Sequence, residues 1–242
     1  MIFDRNEKKQ VVALLGAGSM GTAIVRRIAA GKKILLGDIS EKALERVGDD
    51  FRRSGYDVET QVVNALERES IEAFAQRAAS LGSVMYFIDT AGASPNQASP
   101  EHIVALDMVG TGYAVDAFGR VMAEGGAGLI ISSQAAYMYP IPNEDELQIV
   151  NASTDELAAL PIVRDVAMQN SGLVYGEFNA NGAGYQAMID ASAARRVASS
   201  DEIADAAAFL LGEHATFING TDLLIDGGVI ASLRTGMFKL QG

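Results

Sequence analysis

Val11-Val-Ala-Leu-Leu-Gly-Ala-Gly-Ser-Met-Gly21 decides how the rest of the chain is read. The five apolar residues Val11 to Leu15 suit a strand buried on both faces, because a strand covered on one face alternates apolar with polar side chains. Glycines follow in the pattern Gly16-x-Gly18-x-x-Gly21, and Thr22 to Ala30 then reads as a helix. Strand, glycine turn and helix in that order make a cradle for a pyrophosphate. Gly16 permits the tight turn, Gly18 lets backbone approach the phosphates, and Gly21 lets the helix pack close to the strand. Together with Ser19 and Met20 they carry the free N–H groups of a helix start, where the dipole favours an anion.

The next acidic residue names the nucleotide. Ile34-Leu-Leu36 is a second buried strand, and Asp38 lies at its end, twenty residues after Gly18. A carboxylate there accepts hydrogen bonds from ribose hydroxyls and repels a 2′-phosphate. Ile39 follows, so no adjacent Arg compensates, and the expected cofactor is NAD rather than NADP.

Outward from this core, strand-like and helix-like segments alternate. Ser40 is an N-cap candidate for an amphipathic helix over Glu41 to Arg53. Strands are expected at Asp57 to Val63, Val84 to Ile88 and Leu129 to Ile131, and helices at Ser70 to Leu81 and Pro100 to Glu124. This order predicts an α/β fold: a Rossmann-type doubly wound parallel sheet in three layers, as a single domain over residues 1–242. Beyond Ser133 the regularity fails. Residues 137–184 hold three of the five prolines and the acidic clusters Glu144-Asp-Glu146 and Asp155-Glu156, so this stretch is expected to be a substrate lid or insertion. One short helix is expected within it at Thr154 to Leu160. A helix at Asp201 to Leu211 and a last strand at Asp222 to Ile225 close the pattern.

Composition narrows the function classes. The 242 residues carry a net charge of −12, which disfavours nucleic acid and anionic membrane surfaces as partners. No cysteine is present, which excludes disulfides, thiolate metal sites and a Cys nucleophile, and two histidines do not make a His-rich metal site. The first ten residues are polar and no apolar run reaches about 18 residues, so the expectation is a cytoplasmic protein without a membrane span.

Several segments resemble the short-chain dehydrogenase/reductase family. Thr90-Ala-Gly92 resembles its Asn-Ala-Gly motif, and Ile131-Ser-Ser133 the segment with its catalytic serine. Asp201-Glu-Ile-Ala204 with Phe209-Leu210, then Asn219-Gly-Thr-Asp-Leu-Leu-Ile-Asp-Gly-Gly228, resembles its C-terminal signature. The resemblance implies a seven-stranded sheet with the dinucleotide across its C-terminal edge. It implies that Asn64 and Ala65 line the adenine pocket and that Thr90, Ala91 and Gly92 pass beside the ribose. Ser133 would donate a hydrogen bond to the substrate oxygen, and Tyr175, after a long insertion, would be the general acid/base. Asp107 stands at the helix position of a catalytic Asn. The implied activity is NAD(H)-dependent hydride transfer between a secondary alcohol and a ketone, by a homodimer or homotetramer acting on a small molecule.

The chain departs from the pattern most strongly after Gly176. No Tyr-x-x-x-Lys exists, and there is no lysine between Lys42 and Lys239. The text passes from Tyr175-Gly176 straight into Glu177-Phe-Asn-Ala-Asn, which resembles a substrate loop that normally comes after a helix, a sixth strand and a Pro-Gly turn. About 35–40 residues are therefore expected and missing after 176. The sequence either omits a stretch or carries a true deletion. The apolar area a deletion would uncover favours omission. A different class of function remains open here: a non-catalytic dinucleotide-binding sensor or scaffold without the Tyr/Lys pair.

Overall fold

β1 (Gln10–Leu15) is the middle strand of a five-stranded parallel sheet of order β3-β2-β1-β4-β5. The structure, a computed structural model, describes residues 8–94, 97–138, 143–157, 159–161, 163 and 183–237. They fall into two compact units: Met1–Ala91, Gly110–Ile131 and Ser200–Asn219 in the first, Gly92–Val109, Ser132–Ser199 and Gly220–Gly242 in the second.

The sheet belongs to the first unit. β2 (Lys33–Asp38) and β4 (Ser83–Asp89) flank β1, with β3 (Asp57–Val62) and β5 (Met122–Ile130) outside them. Val11 to Leu15 are all buried, as a strand covered on both faces requires. Val12 and Leu14 point to one face, into a core shared with α1 (Ser19–Ile28), α2 (Glu41–Arg53) and α9 (Ser200–Leu210), through Ile24, Phe51 and Ala204. On the other face Phe87 of β4 stacks on Phe118 of α5 (Thr111–Gly119) at 3.8 Å, and Phe74 of α3 (Arg68–Leu81) meets the same ring edge-on at 5.7 Å. Alternation along the strands thus feeds two apolar layers. Each large aromatic fully buried here is worth about 1.5–3 kcal/mol of transfer.

Local chemistry sets the ends. Ser40 caps α2 by accepting the Ala43 N–H at 3.2 Å. Arg27 of α1 reaches Asp201 at 2.9 Å and Asp205 at 2.7 Å on α9, fastening the two helices at their rim.

Four expectations need correction. The single helix over 100–124 is instead α4 (Pro100–Ile103), a wider π-helical stretch (Val104–Gly110) and α5, which ends at Gly119. β5 accordingly starts at Met122 rather than Leu129. Its glycines absorb a register shift against β4 between Val84 and Tyr86. Residues 143–151 form α6 (Asn143–Asn151), where Glu144, Asp145 and Glu146 occupy the first turn; carboxylates there suit the helix dipole, so the acidic cluster starts a helix rather than marking a loop. Residues 222–225 form no strand, and the described residues supply five strands rather than seven: a strand needs a neighbour to bond to, and none is provided for this one.

The second unit contains α4, α6, α7 (Thr154–Leu157), α8 (Ala183–Ala191) and α10 (Val229–Arg234). Asp226 starts α10 by accepting the N–H groups of Gly228 at 2.9 Å and Ile230 at 2.7 Å. Ser232 of α10 donates to the Ala191 carbonyl at 2.6 Å, which ties it to α8. Among the described residues no helix is long and apolar enough to cross a membrane.

Candidate active site

The glycine turn is held from three sides within the first unit. The Gly16 N–H donates to the Gly37 carbonyl at 2.8 Å, fixing the turn to the end of β2. Thr90 donates its hydroxyl to the Gly16 carbonyl at 2.8 Å and its N–H to the Leu15 carbonyl at 2.8 Å, fixing it to the end of β4. Asp38 closes the third side. Its Oδ2 accepts the Ala17 N–H at 2.7 Å and its Oδ1 the Ser40 N–H at 2.8 Å. Each carboxylate oxygen keeps a second lone pair, so Asp38 can hold the turn and still accept from a ligand hydroxyl.

Backbone shape explains the spacing. Gly16 has φ +91°, and a Cβ there would lie 2.6 Å from the Ala91 nitrogen. A Cβ on Gly21 would lie 2.6 Å from both a Leu14 methyl and the Thr90 hydroxyl. Gly18 has nothing within 4 Å of its Cβ position, so the middle glycine faces open space. No side chain caps α1, and its first backbone bond runs from Thr22 N–H to the Gly18 carbonyl at 3.0 Å. The amides of Ser19, Met20 and Gly21 thus lie ahead of the helical ladder, free for an anion. These residues fit the pyrophosphate of a dinucleotide.

The rim beside Asp38 is apolar. Ile39 and Val62 are exposed at the ends of β2 and β3, where Val62 pairs with Asp38, and Leu66 is exposed in the loop that follows β3. Exposed aliphatic side chains flanking a carboxylate suit a flat base next to a ribose. Ala65 is buried. Asn64 turns its side chain onto its own loop: its amide donates to Glu67 at 2.8 Å and its carbonyl accepts the Leu66 N–H at 3.1 Å. One group that the sequence did not single out is Asp89, a carboxylate at the end of β4 with 2% of its surface exposed. It accepts the Ala91 N–H at 3.0 Å and bends the chain out of the strand. A buried-strand run ending in an acid was the only signal for it.

The second unit holds the other group of residues. Asp107 lies in the π-helical stretch, a distortion often found at functional sites, and is partly desolvated while keeping an exposed surface. It accepts the Ala93 N–H at 3.0 Å, and the Cβ position of Gly92 is 3.4 Å from its oxygen. Burial pushes its carboxyl above the ordinary range, against the opposing pull of the Ala93 bond and of His102. Ser133 follows the sheet at the start of a 3-10 turn (Gln134–Tyr137), where its Oγ accepts the Ala135 N–H at 3.2 Å. Among the described residues no acceptor takes its hydroxyl hydrogen, which a hydroxyl can still donate. On the same turn Tyr137 donates its hydroxyl to Asp222, with Arg234 5.9 Å above its ring. The bond to Asp222 raises the phenol above its usual range. No feature of the sequence paired these two residues, which are 85 positions apart. Tyr175 and the junction after 176 lie outside the described residues.

Comparison with known proteins bears on the family and the fold. Residues 173–230 match the family model described as enoyl-(acyl carrier protein) reductase. The chain is 31% identical to the short-chain dehydrogenase/reductase bsc3 of Alternaria brassicicola, over 93% of this chain and 97% of that one. It is 24% identical to levodione reductase of Leifsonia aquatica, over 92% and 95%. The two alignments run over 266 and 262 positions, although the chain has 242 residues, so both relatives carry internal stretches that this sequence lacks. In fold, it superposes on a short-chain dehydrogenase/reductase from Serratia marcescens with TM-score 0.67 at 20% identity, over 93% and 98% of the chains. With a glycine turn on the central strand of a parallel sheet, and a relative aligned along nearly its whole length, this chain belongs to the short-chain dehydrogenase/reductase family.

Proposed function

We propose that the chain is an NAD(H)-dependent oxidoreductase that interconverts a secondary alcohol and a ketone of a small molecule. The observation that carries this is the glycine turn clamped by Asp38 with α1 left uncapped. The carboxylate supports NAD over NADP, because it would face a 2′-phosphate with its own negative charge and the neighbouring residue is Ile39. The nicotinamide supplies or accepts the hydride when bound.

The protein's part is to hold and polarise. The amides of Ser19, Met20 and Gly21 take the pyrophosphate, and Asp38 the adenosine ribose. Ser133 donates its free hydroxyl hydrogen to the substrate oxygen, which favours the polarised carbonyl. Asp107 fixes the Gly92–Ala93 backbone through its bond to Ala93. Tyr137 is unsuited to proton exchange, since its hydroxyl is committed to Asp222 and its acidity is lowered. That task falls to Tyr175, on the strength of its sequence context. Substrate choice falls to residues 137–184.

A Ser133→Ala variant tests the reading. It should bind NADH as the parent does and lose at least 100-fold in turnover of a panel of cyclic and acyclic ketones. Unchanged turnover removes Ser133 from the mechanism. NADH binding with no turnover of any ketone by the parent chain would leave a binding protein instead.

A further inference from the structure

The turn that carries Ser133 has little of its own to hold it. Gln134–Tyr137 is a single 3-10 turn in which no residue is buried. Its backbone bonds run from the Ala136 N–H to the Ser133 carbonyl at 3.2 Å and from the Met138 N–H to the Ala135 carbonyl at 3.0 Å. A turn this short fixes more dihedral freedom than its bonds offset. Its direction must come from side chains that reach other elements of the second unit.

Two side chains do so. Gln134 reaches α8, where its amide donates to the Met188 sulfur at 3.9 Å. A thioether is a weak acceptor, and the Gln134 carbonyl oxygen is buried without a partner among the described residues. This end of the turn is loosely held. At the other end Tyr137 is held at two points: its hydroxyl donates to Asp222, and the Arg234 guanidinium lies 5.9 Å over its ring. Both partners belong to the C-terminal segment of the unit. Asp222 lies ahead of α10, and Arg234 is its last residue. α10 is rooted: Val229, Ile230 and Ser232 are buried, and Ser232 donates to the Ala191 carbonyl of α8 at 2.6 Å. Asp222 itself is exposed, so its bond to Tyr137 fixes geometry rather than rescuing a buried charge.

We infer that Asp222 is a positioning residue: through Tyr137 it pins the 3-10 turn and so aims the Ser133 hydroxyl. The inference rests on the reading of Ser133 as the donor to the substrate oxygen. A donor that stabilises developing charge works only within a narrow range of positions, and a displacement of about 1 Å can cost on the order of 100-fold in rate. A turn released from Asp222 therefore loses turnover and keeps its cofactor, whose glycine turn lies in the first unit.

Amide hydrogen exchange and turnover test it together. Asp222→Ala and Tyr137→Phe each delete the bond, whereas Asp222→Asn keeps an acceptor oxygen for the Tyr137 hydroxyl. The Ala136 and Met138 amides should exchange about tenfold faster in the first two variants and at the parent rate in the third. Turnover of a panel of ketones should fall about 10- to 100-fold in the first two, with NADH affinity unchanged, and recover in Asp222→Asn. In a Ser133→Ala background, Tyr137→Phe should lower turnover no further. Unchanged exchange in Asp222→Ala overturns the inference. So does a loss of turnover that keeps its full size in the Ser133→Ala background, which assigns the pair to general stability. Parent turnover in Ser133→Ala alone would instead sink the reading of Ser133 as the donor, while exchange still decides whether Asp222 holds the turn.

Discussion

The carboxylate of Asp38 accepts the Ala17 N–H at 2.7 Å, so the residue that would read the ribose also holds the turn that would hold the phosphates. Stability and cofactor choice are therefore coupled at one side chain. Asp38→Asn keeps one acceptor oxygen and gives up the other, so one of the two backbone bonds at Ala17 and Ser40 is lost. The expected cost is about 1 kcal/mol, or ~2–4 °C in melting temperature. Removing the negative charge should also shift the NADPH-to-NADH affinity ratio toward NADPH by about tenfold. Calorimetric titration with both dinucleotides checks this. An unchanged ratio would mean that Asp38 serves the turn alone.

Gly16 and Gly18 separate folding from binding. Alanine at Gly16 places a methyl 2.6 Å from backbone at Ala91 in a left-handed conformation, and should destabilise by about 3 kcal/mol or more. At Gly18 the backbone is extended and the space is open, so Gly18→Ala should melt within about 0.5 kcal/mol of the parent. The same methyl stands where a pyrophosphate would lie, and NADH affinity should fall at least tenfold. If Gly18→Ala binds NADH as well as the parent does, the open face is not the phosphate site.

What the sequence revealed follows the range of the forces involved. The run Val11 to Leu15, the tight turn at Gly16, the close packing at Gly21 and the Ser40 cap are local signals, and each formed as read. The long helix over 100–124 misled because Met108 and Met122 continue an apolar spacing through Gly119, where the helix stops. The dual bond of Asp38 and the Tyr137–Asp222 pair depend on turns and on distant chain meeting, which periodicity does not encode. The strand expected at 222–225 had the right pattern, but a strand is a relation between two segments, and among the described residues none pairs with it.

The β3 edge offers a prediction in salt and acid. Lys33 is raised by its bonds to Glu59 and Asp57, and those two carboxyls are held below their ordinary values chiefly by bonds to Lys33 and Lys9. Depressed carboxyls contribute stability above their unfolded values and lose it as pH falls through the folded ones. Lys33→Met should therefore cost at most about 1 kcal/mol near neutrality, since Asp57 is 45% exposed. The deficit should shrink below about pH 4 and in high salt. Urea melts of the parent and the variant across pH and salt test it. A deficit independent of both would assign the loss to packing of the lysine stem.

Asp107 runs the opposite way. Its carboxyl is raised by burial, so between the unfolded and folded values the native state holds a proton that the unfolded chain has lost, and stability declines as pH rises through that window. Above the window the native state keeps a partly desolvated charge, offset in part by the Ala93 N–H and by His102. Asp107→Asn retains an acceptor for that N–H and removes the charge. Near neutral pH it should be slightly more stable than the parent, by well under about 1 kcal/mol because Asp107 keeps an exposed surface that solvent screens. Below about pH 4, where the parent is protonated, the two should melt together. A variant that is less stable at neutral pH would show that the ionised carboxylate gains more from the Ala93 bond than it loses by leaving water. Asp107 would then be a fixed anion beside Gly92 rather than a group that can hold a proton.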